Sequence, residues 1–245
     1  MSIETKNKTL IEKLFTAGSH FGFTKARRHP TVVPYLFCNK QGTDIFDLEK
    51  TSELLLSAGE ILKEAGKTSK TVLFVGTKAE NSVLVKAAAE KAEMPYVTNR
   101  WIGGTLTNFS EIKKRLNRFS ELTSQQESGE LEKKYTKKER VMIGREYNKL
   151  DFNFGGIKDM SKLPNLMVVV DPRHNYIAVE EANQLNIPVI GVTSSDCNLR
   201  NLQHPVVVND SLQSSVTLVL AELTDALIEG KSEAVTKEVD TKAKE

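Results

Sequence analysis

The ten residues from Asn99 to Asn108, Asn-Arg-Trp-Ile-Gly-Gly-Thr-Leu-Thr-Asn, combine groups that can bind an anionic polymer. They include the only tryptophan of the chain, next to an arginine, and two adjacent glycines. An indole and a guanidinium can stack on exposed bases, and a guanidinium can also bind a phosphate. Because a segment crowded with Lys and Arg follows, these residue types favour a nucleic acid over a small molecule.

The same loop has a structural interpretation. Trp101 can pack beneath the segment that follows while Arg100 faces an RNA. Two adjacent glycines are costly in backbone entropy unless a positive φ or a close approach requires them. The predicted junction residues are Trp101, Gly103 and Gly104. The candidate RNA contacts in the loop are Asn99, Arg100 and Asn108.

Cationic side chains cluster in two further places. Residues 25–30 read Lys-Ala-Arg-Arg-His-Pro within a stretch that is predicted to be irregular from Gly18 onward, and such a loop can follow a sugar-phosphate backbone. From Glu111 to Leu150, eleven Lys or Arg stand against seven Glu. A solvated surface explains any one of these runs equally well. The candidate RNA contacts here are Lys25, Arg27, Arg28, His29, Lys113, Lys114 and Arg118.

The overall composition indicates less about function than these clusters do. The 245 residues carry 34 Lys plus Arg against 32 Asp plus Glu, and 39% are hydrophobic, which suits one sizeable domain. Cys38 and Cys197 lie too far apart for a CxxC motif and are expected to be reduced. No apolar run approaches the roughly 18 residues of a membrane span, and residues 1–9 lack the apolar region of a signal peptide. We therefore expect a soluble cytoplasmic protein.

Alternating strand and helix patterns predict a doubly wound parallel sheet with right-handed crossovers. The predicted strands are Thr71–Val75, Pro95–Val97, Leu166–Asp171, Pro188–Val192 and Pro205–Val208. The predicted helices between and after them are Ala79–Ala92, Tyr176–Leu185 and Ser211–Ile228, the last with Asp210 as N-cap. Before them come a helix that stops at Gly18, a β-hairpin around Gly42, and a helix from Leu48 to Ala65 that Gly66 ends.

Residues 110–150 show helix formers and charge but no strand pattern. Ile112, Leu116, Phe119 and Leu122 form an apolar stripe on one helix, and Tyr135, Val141, Ile143 and Tyr147 supply the returning helix. The sequence predicts an antiparallel helical hairpin that projects from a discontinuous sheet domain of residues 1–109 and 151–229. Residues 230–245, rich in Lys, Glu and Thr, are predicted to be disordered.

Signatures of enzymes and cofactors are weak. The turn Val75-Gly76-Thr77-Lys78 matches neither GxGxxG nor the Walker motif, although Gly76 and Thr77 could offer donors to a phosphate. Lys78 joins the candidate RNA contacts. Asp171 ends a strand without a second acidic residue near it, and the four histidines lack metal-ligand spacing. The sequence predicts no catalysis, no cofactor and no metal.

Several motifs occur together in the order of a known family. They are His20-Phe21-Gly22, the hairpin from Tyr35 to Asp47, Asp47-Leu48-Glu49-Lys50-Thr51, Val75-Gly76-Thr77-Lys78, the run from Arg100 to Asn108, Gly155-Gly156-Ile157-Lys158-Asp159-Met160, and Val169-Val170-Asp171-Pro172. From about residue 8 to 228 the chain resembles the family of the second protein of the small ribosomal subunit, in its bacterial form. The charged hairpin resembles the coiled-coil insertion of the bacterial and organellar branch.

That resemblance implies a flavodoxin-like α/β domain with an inserted coiled-coil hairpin, on the solvent side of the small subunit near the neck. It implies contacts with 16S-type ribosomal RNA and with other small-subunit proteins, including the large mobile protein one, and neither catalysis nor a small-molecule substrate. The residues alone leave two alternatives: an enzyme or nucleotide binder that uses Gly76, Thr77 and Asp171, or a non-ribosomal scaffold that works through the hairpin.

Overall fold

The computed structural model describes residues 3–128 and 134–242, with the side chains of residues 8–128 and 134–234. The helices are α1 (Ile3–Thr16), α2 (Leu48–Lys67), α3 (Ala79–Lys91), α4 (Phe109–Glu127), α5 (Lys137–Phe154), α6 (Tyr176–Gln184) and α7 (Gln213–Lys242). The strands are β1 (Phe21–Thr24), β2 (Leu36–Lys40), β3 (Thr43–Phe46), β4 (Val72–Val75), β5 (Tyr96–Val97), β6 (Leu166–Val170), β7 (Val189–Thr193) and β8 (His204–Val207).

The main sheet is parallel, with strand order β5-β4-β6-β7-β8. This is the flavodoxin-like order, in which the direction of winding reverses between β4 and β6. Side chains alternate between two cores: Val72 and Phe74 face a cluster with α2, α3 and α7, whereas Leu73 and Val75 face a cluster that includes residues of α4 and α6. Because both faces are covered, the central strands β4 and β6 are continuously apolar, and the predicted α/β class is confirmed.

The N-terminal region is more regular than its sequence indicates. Strands β1, β3 and β2 form a small antiparallel sheet, and Gly42 turns between β2 and β3 with a φ of 81°. The prediction of an irregular segment from Gly18 is wrong for Phe21–Thr24, because β3 supplies the hydrogen-bonding edge. Two short 3-10 helices, Lys25–Arg27 and Pro30–Tyr35, connect β1 to β2.

Two glycines lie where α2 and α7 pack closely, and one of them, Gly66, was predicted to end α2. A Cβ on Gly66 would collide with the Leu227 carbonyl oxygen, and one on Gly230 would collide with that of Lys63. Both helices continue past these positions. The predicted disorder from residue 230 is therefore wrong as far as Lys242, since α7 extends there and Glu233 pairs with Lys63 at 2.7 Å. Residues 243–245 lie outside the described residues.

Helices α4 and α5 pack together, with the rings of Phe119 and Tyr147 5.3 Å apart. The predicted stripe on α4 is buried, but Val141 on α5 is 50% exposed, because α4 covers only one side of α5. At the base of the pair, Ile112 and Leu116 belong to the core beneath the sheet. The predicted domain boundary at residue 110 therefore cuts through a core that the helix pair shares with the sheet domain. The predicted bend at residues 124–129 lies partly inside α4 and partly outside the described residues.

Candidate nucleic-acid interface

The loop 99–108 is organised around one buried carboxylate. Glu181 lies on α6, and its Oε1 accepts hydrogen bonds from the Trp101 indole (3.0 Å) and the Gly104 amide (2.8 Å). Its Oε2 accepts from the amides of Leu106 (2.9 Å) and Thr107 (3.2 Å) and from the Thr107 hydroxyl (3.3 Å). The single side chain therefore satisfies donors along most of the loop and fixes its path.

Ionisation of Glu181 is consistent with this role. Burial raises the pKa of the carboxyl, but hydrogen bonds from Trp101, Leu106, Gly104 and Thr107 together lower it further than burial raises it, so the pKa lies below its usual range. Donors that converge on an anion favour its charged form. Glu181 is therefore a carboxylate at neutral pH and binds the loop by charge-assisted hydrogen bonds.

Trp101 and Arg100 face opposite environments. The Trp101 side chain is 8% exposed and lies in the second core with Ile112, Leu116 and Phe154, the residues at the base of the α4–α5 pair. Arg100 is exposed beside it. Asn99 is also exposed, and its Nδ2 donates to the Phe152 carbonyl oxygen at the end of α5 (2.7 Å). The loop thus joins the sheet to both helices and presents Arg100 at their base.

The two adjacent glycines differ in what requires them. Gly104 has a φ of 87°, which a residue with a side chain rarely adopts, and its amide faces Glu181. Gly103 has no positive φ, and a Cβ at this position would meet no atom within 4 Å. The expectation that both glycines are conformationally necessary is therefore wrong for Gly103. Asn108, the N-cap of α4, is exposed and accepts from the Ser110 hydroxyl (3.4 Å).

The cations of the segment 25–29 have different surroundings. The Arg27 guanidinium lies 4.4 Å above the Phe23 ring and 3.6 Å from Asp196, and it remains 56% exposed. The Arg28 guanidinium instead points inward to the buried carboxylate of Asp44, at 3.4 Å. Lys25 is exposed. Arg27 and Lys25 are thus placed for an external contact, whereas Arg28 serves an internal ion pair.

His29 is held by its own turn. Its Nδ1 accepts from the Thr31 amide at 3.3 Å and lies 2.8 Å from the Thr31 hydroxyl, which assigns the ring proton of the neutral form to Nε2. The His29 amide donates to the Ser195 carbonyl oxygen (2.8 Å). The segment is therefore fixed to the loop after β7.

The polar residues at the switch point between β4 and β6 bond to each other. Lys78 Nζ lies 3.5 Å from Asp171, and the Thr77 hydroxyl donates to Asn175 (2.7 Å). A Cβ on Gly76 would lie 2.6 Å from the Val85 side chain, so this glycine permits strand and helix to pack closely. Internal contacts therefore account for the residues that suggested a phosphate site, and Lys78 is part of them.

Asp210 is a buried carboxyl near this edge. It was predicted as the N-cap of the last helix, but α7 begins only at Gln213, and in the turn before it Asn209 Oδ1 accepts from the amides of Ser211 (3.1 Å) and Leu212 (3.2 Å). Asp210 is 2% exposed. Burial, and then the nearby negative charges of Asp171 and Asp196, raise its pKa to about 7. The prediction failed because the side chain turns into the protein rather than toward the helix end.

The hairpin cations differ in their pairing. Lys114 pairs with Glu111 at 2.6 Å, and Arg118 reaches Glu146 on α5 at 3.3 Å. Lys113 is exposed. Exposed pairs of this kind contribute little to stability.

Sequence reasoning missed Glu181, Asp196 and Arg173. Glu181 bonds to residues 74–80 positions away, so no local motif marks it. Its one signal is its place between Ala178 and Ala182 on the apolar face of α6. Arg173 and Asp196 lie after different strands, and only the sheet brings them together.

Neither a membrane-spanning helix nor a metal cluster occurs in the described part of the chain. None of the helices within residues 3–128 and 134–242 is long and apolar enough to cross a bilayer. Over the same ranges, no group of three His, Cys, Asp or Glu side chains is arranged to hold a metal ion. Cys38 and Cys197 are both free thiols.

The fold and this surface define the class of protein: a flavodoxin-like α/β domain with a charged helical insertion and a cationic face. Residues 14–230 match the family described as ribosomal protein S2. The chain is 39% identical over 238 residues to small ribosomal subunit protein uS2 of Salinibacter ruber, covering 97% of this chain and 74% of the relative. It is 38% identical over 222 residues to uS2 of Coprothermobacter proteolyticus, covering 90% and 82%, and 38% over 221 residues to uS2 of Petrotoga mobilis, covering 90% and 76%.

The chain therefore belongs to the ribosomal protein S2 family. Members of this family are structural proteins of the ribosome and are not enzymes. The alternative of a flavodoxin-like enzyme, which the residues alone left open, is thereby removed.

Proposed function

We propose that this protein is a structural constituent of the small ribosomal subunit in the cytoplasm and that it binds 16S-type ribosomal RNA through its exposed cations. The observation that carries the proposal is the Glu181-anchored loop, which fixes Arg100 at the base of a cationic helix pair. Because the loop backbone is already fixed, only the Arg100 side chain has to be ordered when it meets a phosphate, and less of the contact energy is lost to entropy.

The RNA surface comprises three groups of exposed cations. Arg100 and the α4 residues Lys113 and Lys114 lie at the base of the helix pair, Arg118 lies further along α4, and Lys25 and Arg27 lie on the N-terminal segment. Arg28 and Lys78 act inside the protein, through Asp44 and Asp171. His29, Asn99 and Asn108 shape the loops that carry the cations.

We further propose contacts with other small-subunit proteins, including the large mobile protein one. Exposed aromatic side chains support a protein contact: Phe15 is 63% exposed, Phe21 49% and Phe37 76%. Large apolar groups left in solvent favour association with another protein surface.

Salt dependence tests the RNA contact. Each phosphate that a cation neutralises adds roughly 0.7–0.9 to the slope of log affinity against log salt. Arg100→Gln and Lys113→Gln should each lower the slope for binding of small-subunit RNA by that amount. Lys91→Gln is the matched control, because Lys91 is an exposed cation that pairs with Asp225 on the other side of the sheet. Slopes that equal the wild-type value in both test variants would remove this surface from the interface.

A further inference from the structure

A cavity of about 510 Å³ opens beside the loop that follows β6. Its walls come from the segment 27–29, the start of α6 and the loop after β7, and its floor includes the buried side chains of Pro172, Val179 and Leu202. This volume lies within the roughly 300–1,000 Å³ of pockets that enclose small organic groups.

Two guanidinium groups at this cavity share one carboxylate. Arg173 Nη1 lies 2.5 Å from Asp196 Oδ2, and Arg27 Nη2 lies 3.6 Å from the same oxygen. The Asp196 side chain is 7% exposed, whereas those of Arg173 and Arg27 are 54% and 56% exposed. Each guanidinium has five N–H donors, so most of them stay free for a ligand. The pair is thus oriented by a buried acid and keeps a positive surplus.

The remaining charged residues offset this surplus rather than add to it. Glu180 brings a further negative charge to the lining, whereas Arg28 is neutralised by Asp44, so the site depends on the direction of the guanidinium donors and not on net charge. Tyr176, the first residue of α6, lines the wall, and the residue is 56% exposed. An exposed ring next to an arginine pair matches a base and its phosphate, because bases stack on aromatic faces while guanidinium groups bind phosphate in a fork. An acidic peptide would use the arginines but not the ring.

We propose that this cavity binds one unpaired nucleotide of the RNA, with the phosphate on Arg27 and Arg173 and the base stacked on Tyr176. This inference rests on the proposed function, since the RNA is that of the small subunit. It adds a base-stacking site to a surface that otherwise acts through charge.

Binding to small subunits that lack this protein tests the site. Tyr176→Ala should weaken the affinity roughly 5- to 150-fold, the range for loss of one stacked base, while Tyr176→Phe keeps the ring and should bind as the wild type does. Ile177→Ala is the matched control, because Ile177 is the next residue of α6, is 40% exposed and lies outside the cavity lining. Equal affinity of Tyr176→Ala and wild type overturns the site, as does a loss in Tyr176→Phe equal to that in Tyr176→Ala.

Ultraviolet cross-linking of the assembled subunit identifies the occupant. A nucleotide adduct on the peptide that contains Tyr176 is expected, and a cross-link from that peptide to another protein instead would overturn the proposal. Free adenosine monophosphate is the probe for a soluble ligand, and saturable micromolar binding to the isolated full-length protein would assign the cavity to a free nucleotide and so contradict it. Wild-type protein that fails to bind subunits at all would refute the proposed function itself, which separates the two failures.

Discussion

The indole Nε1–H of Trp101 donates a 3.0 Å hydrogen bond to the carboxylate of Glu181, 80 residues later in the chain. The bond joins the loop that enters the helix pair to helix α6 on the same face of the sheet. Since the same carboxylate also binds the amides of Gly104 and Leu106, the position of the helix pair depends on one buried acid.

We predict that Glu181→Gln destabilises the fold by about 2–4 kcal/mol, because an amide nitrogen would face N–H donors that now meet an oxygen. Thermal or denaturant unfolding measures the change. Glu180→Gln is the control, since Glu180 is the exposed neighbour on the same helix. A Glu181→Gln protein as stable as this control would show that the loop holds its shape without the carboxylate.

The pKa of Glu181 adds a dependence on pH. Because its folded pKa is lowered from 4.5, its contribution to stability is present above that unfolded value and is lost as pH falls through the folded pKa. The wild type should therefore lose more stability than Glu181→Gln on acidification from neutral pH to below 4.5, as followed by unfolding at each pH.

Substitutions at Trp101 and at Arg100 should separate an effect on folding from an effect on binding. Trp101→Ala is expected to lower the free energy of unfolding by about 3–5 kcal/mol, as other large-to-small core substitutions do. Arg100→Ala should leave the melting temperature nearly unchanged and weaken association with the small subunit. A stable Trp101→Ala protein that no longer joins the subunit would assign the indole to RNA stacking instead of packing.

Asp210 should make the protein less stable as pH rises. Its folded pKa of about 7 lies above the unfolded value of 3.8, so the folded state holds the proton more tightly and stability falls between these two pH values. Asp171 and Asp196 add to the effect, while Lys78 and Ser211 oppose it. Asp210→Asn should flatten this slope, with a relative gain on the order of a few kcal/mol by about pH 8. Unfolding curves across this range that match the wild type would contradict the shift.

Only the outer turns of the helix pair should be dispensable for folding. Ile112 and Leu116 lie in the core, so removing 111–150 would unfold the sheet domain. Replacing only 120–146 by a short Gly/Ser linker keeps those residues and joins positions whose rings, Phe119 and Tyr147, have centroids 5.3 Å apart. This variant should fold, with a circular dichroism spectrum that keeps the contribution of the sheet, and it should bind subunits more weakly. An insoluble product would show that the outer turns stabilise the core.

The parallel sheet could be predicted from the sequence because buried strands such as Val72–Val75 and Leu166–Val170 are uninterrupted apolar runs. Gly66 was predicted only as the end of α2 because a glycine that ends a helix and one that admits a neighbouring helix look alike in a single sequence. Glu181 and Asp196 could not be found, since their partners come from other strands and helices. Local patterns thus predict elements, whereas the interface depends on contacts between distant segments.

Sedimentation of the tagged protein through a sucrose gradient tests the central claim, that this chain binds the small ribosomal subunit through its exposed cations. The wild type should comigrate with small subunits at low salt and move to the top of the gradient at high salt. A variant with Arg27, Arg100 and Lys113 all changed to Gln should leave the subunit fraction at lower salt than the wild type, while Lys91→Gln should not. Wild-type protein that remains at the top of the gradient at every salt concentration would contradict the account.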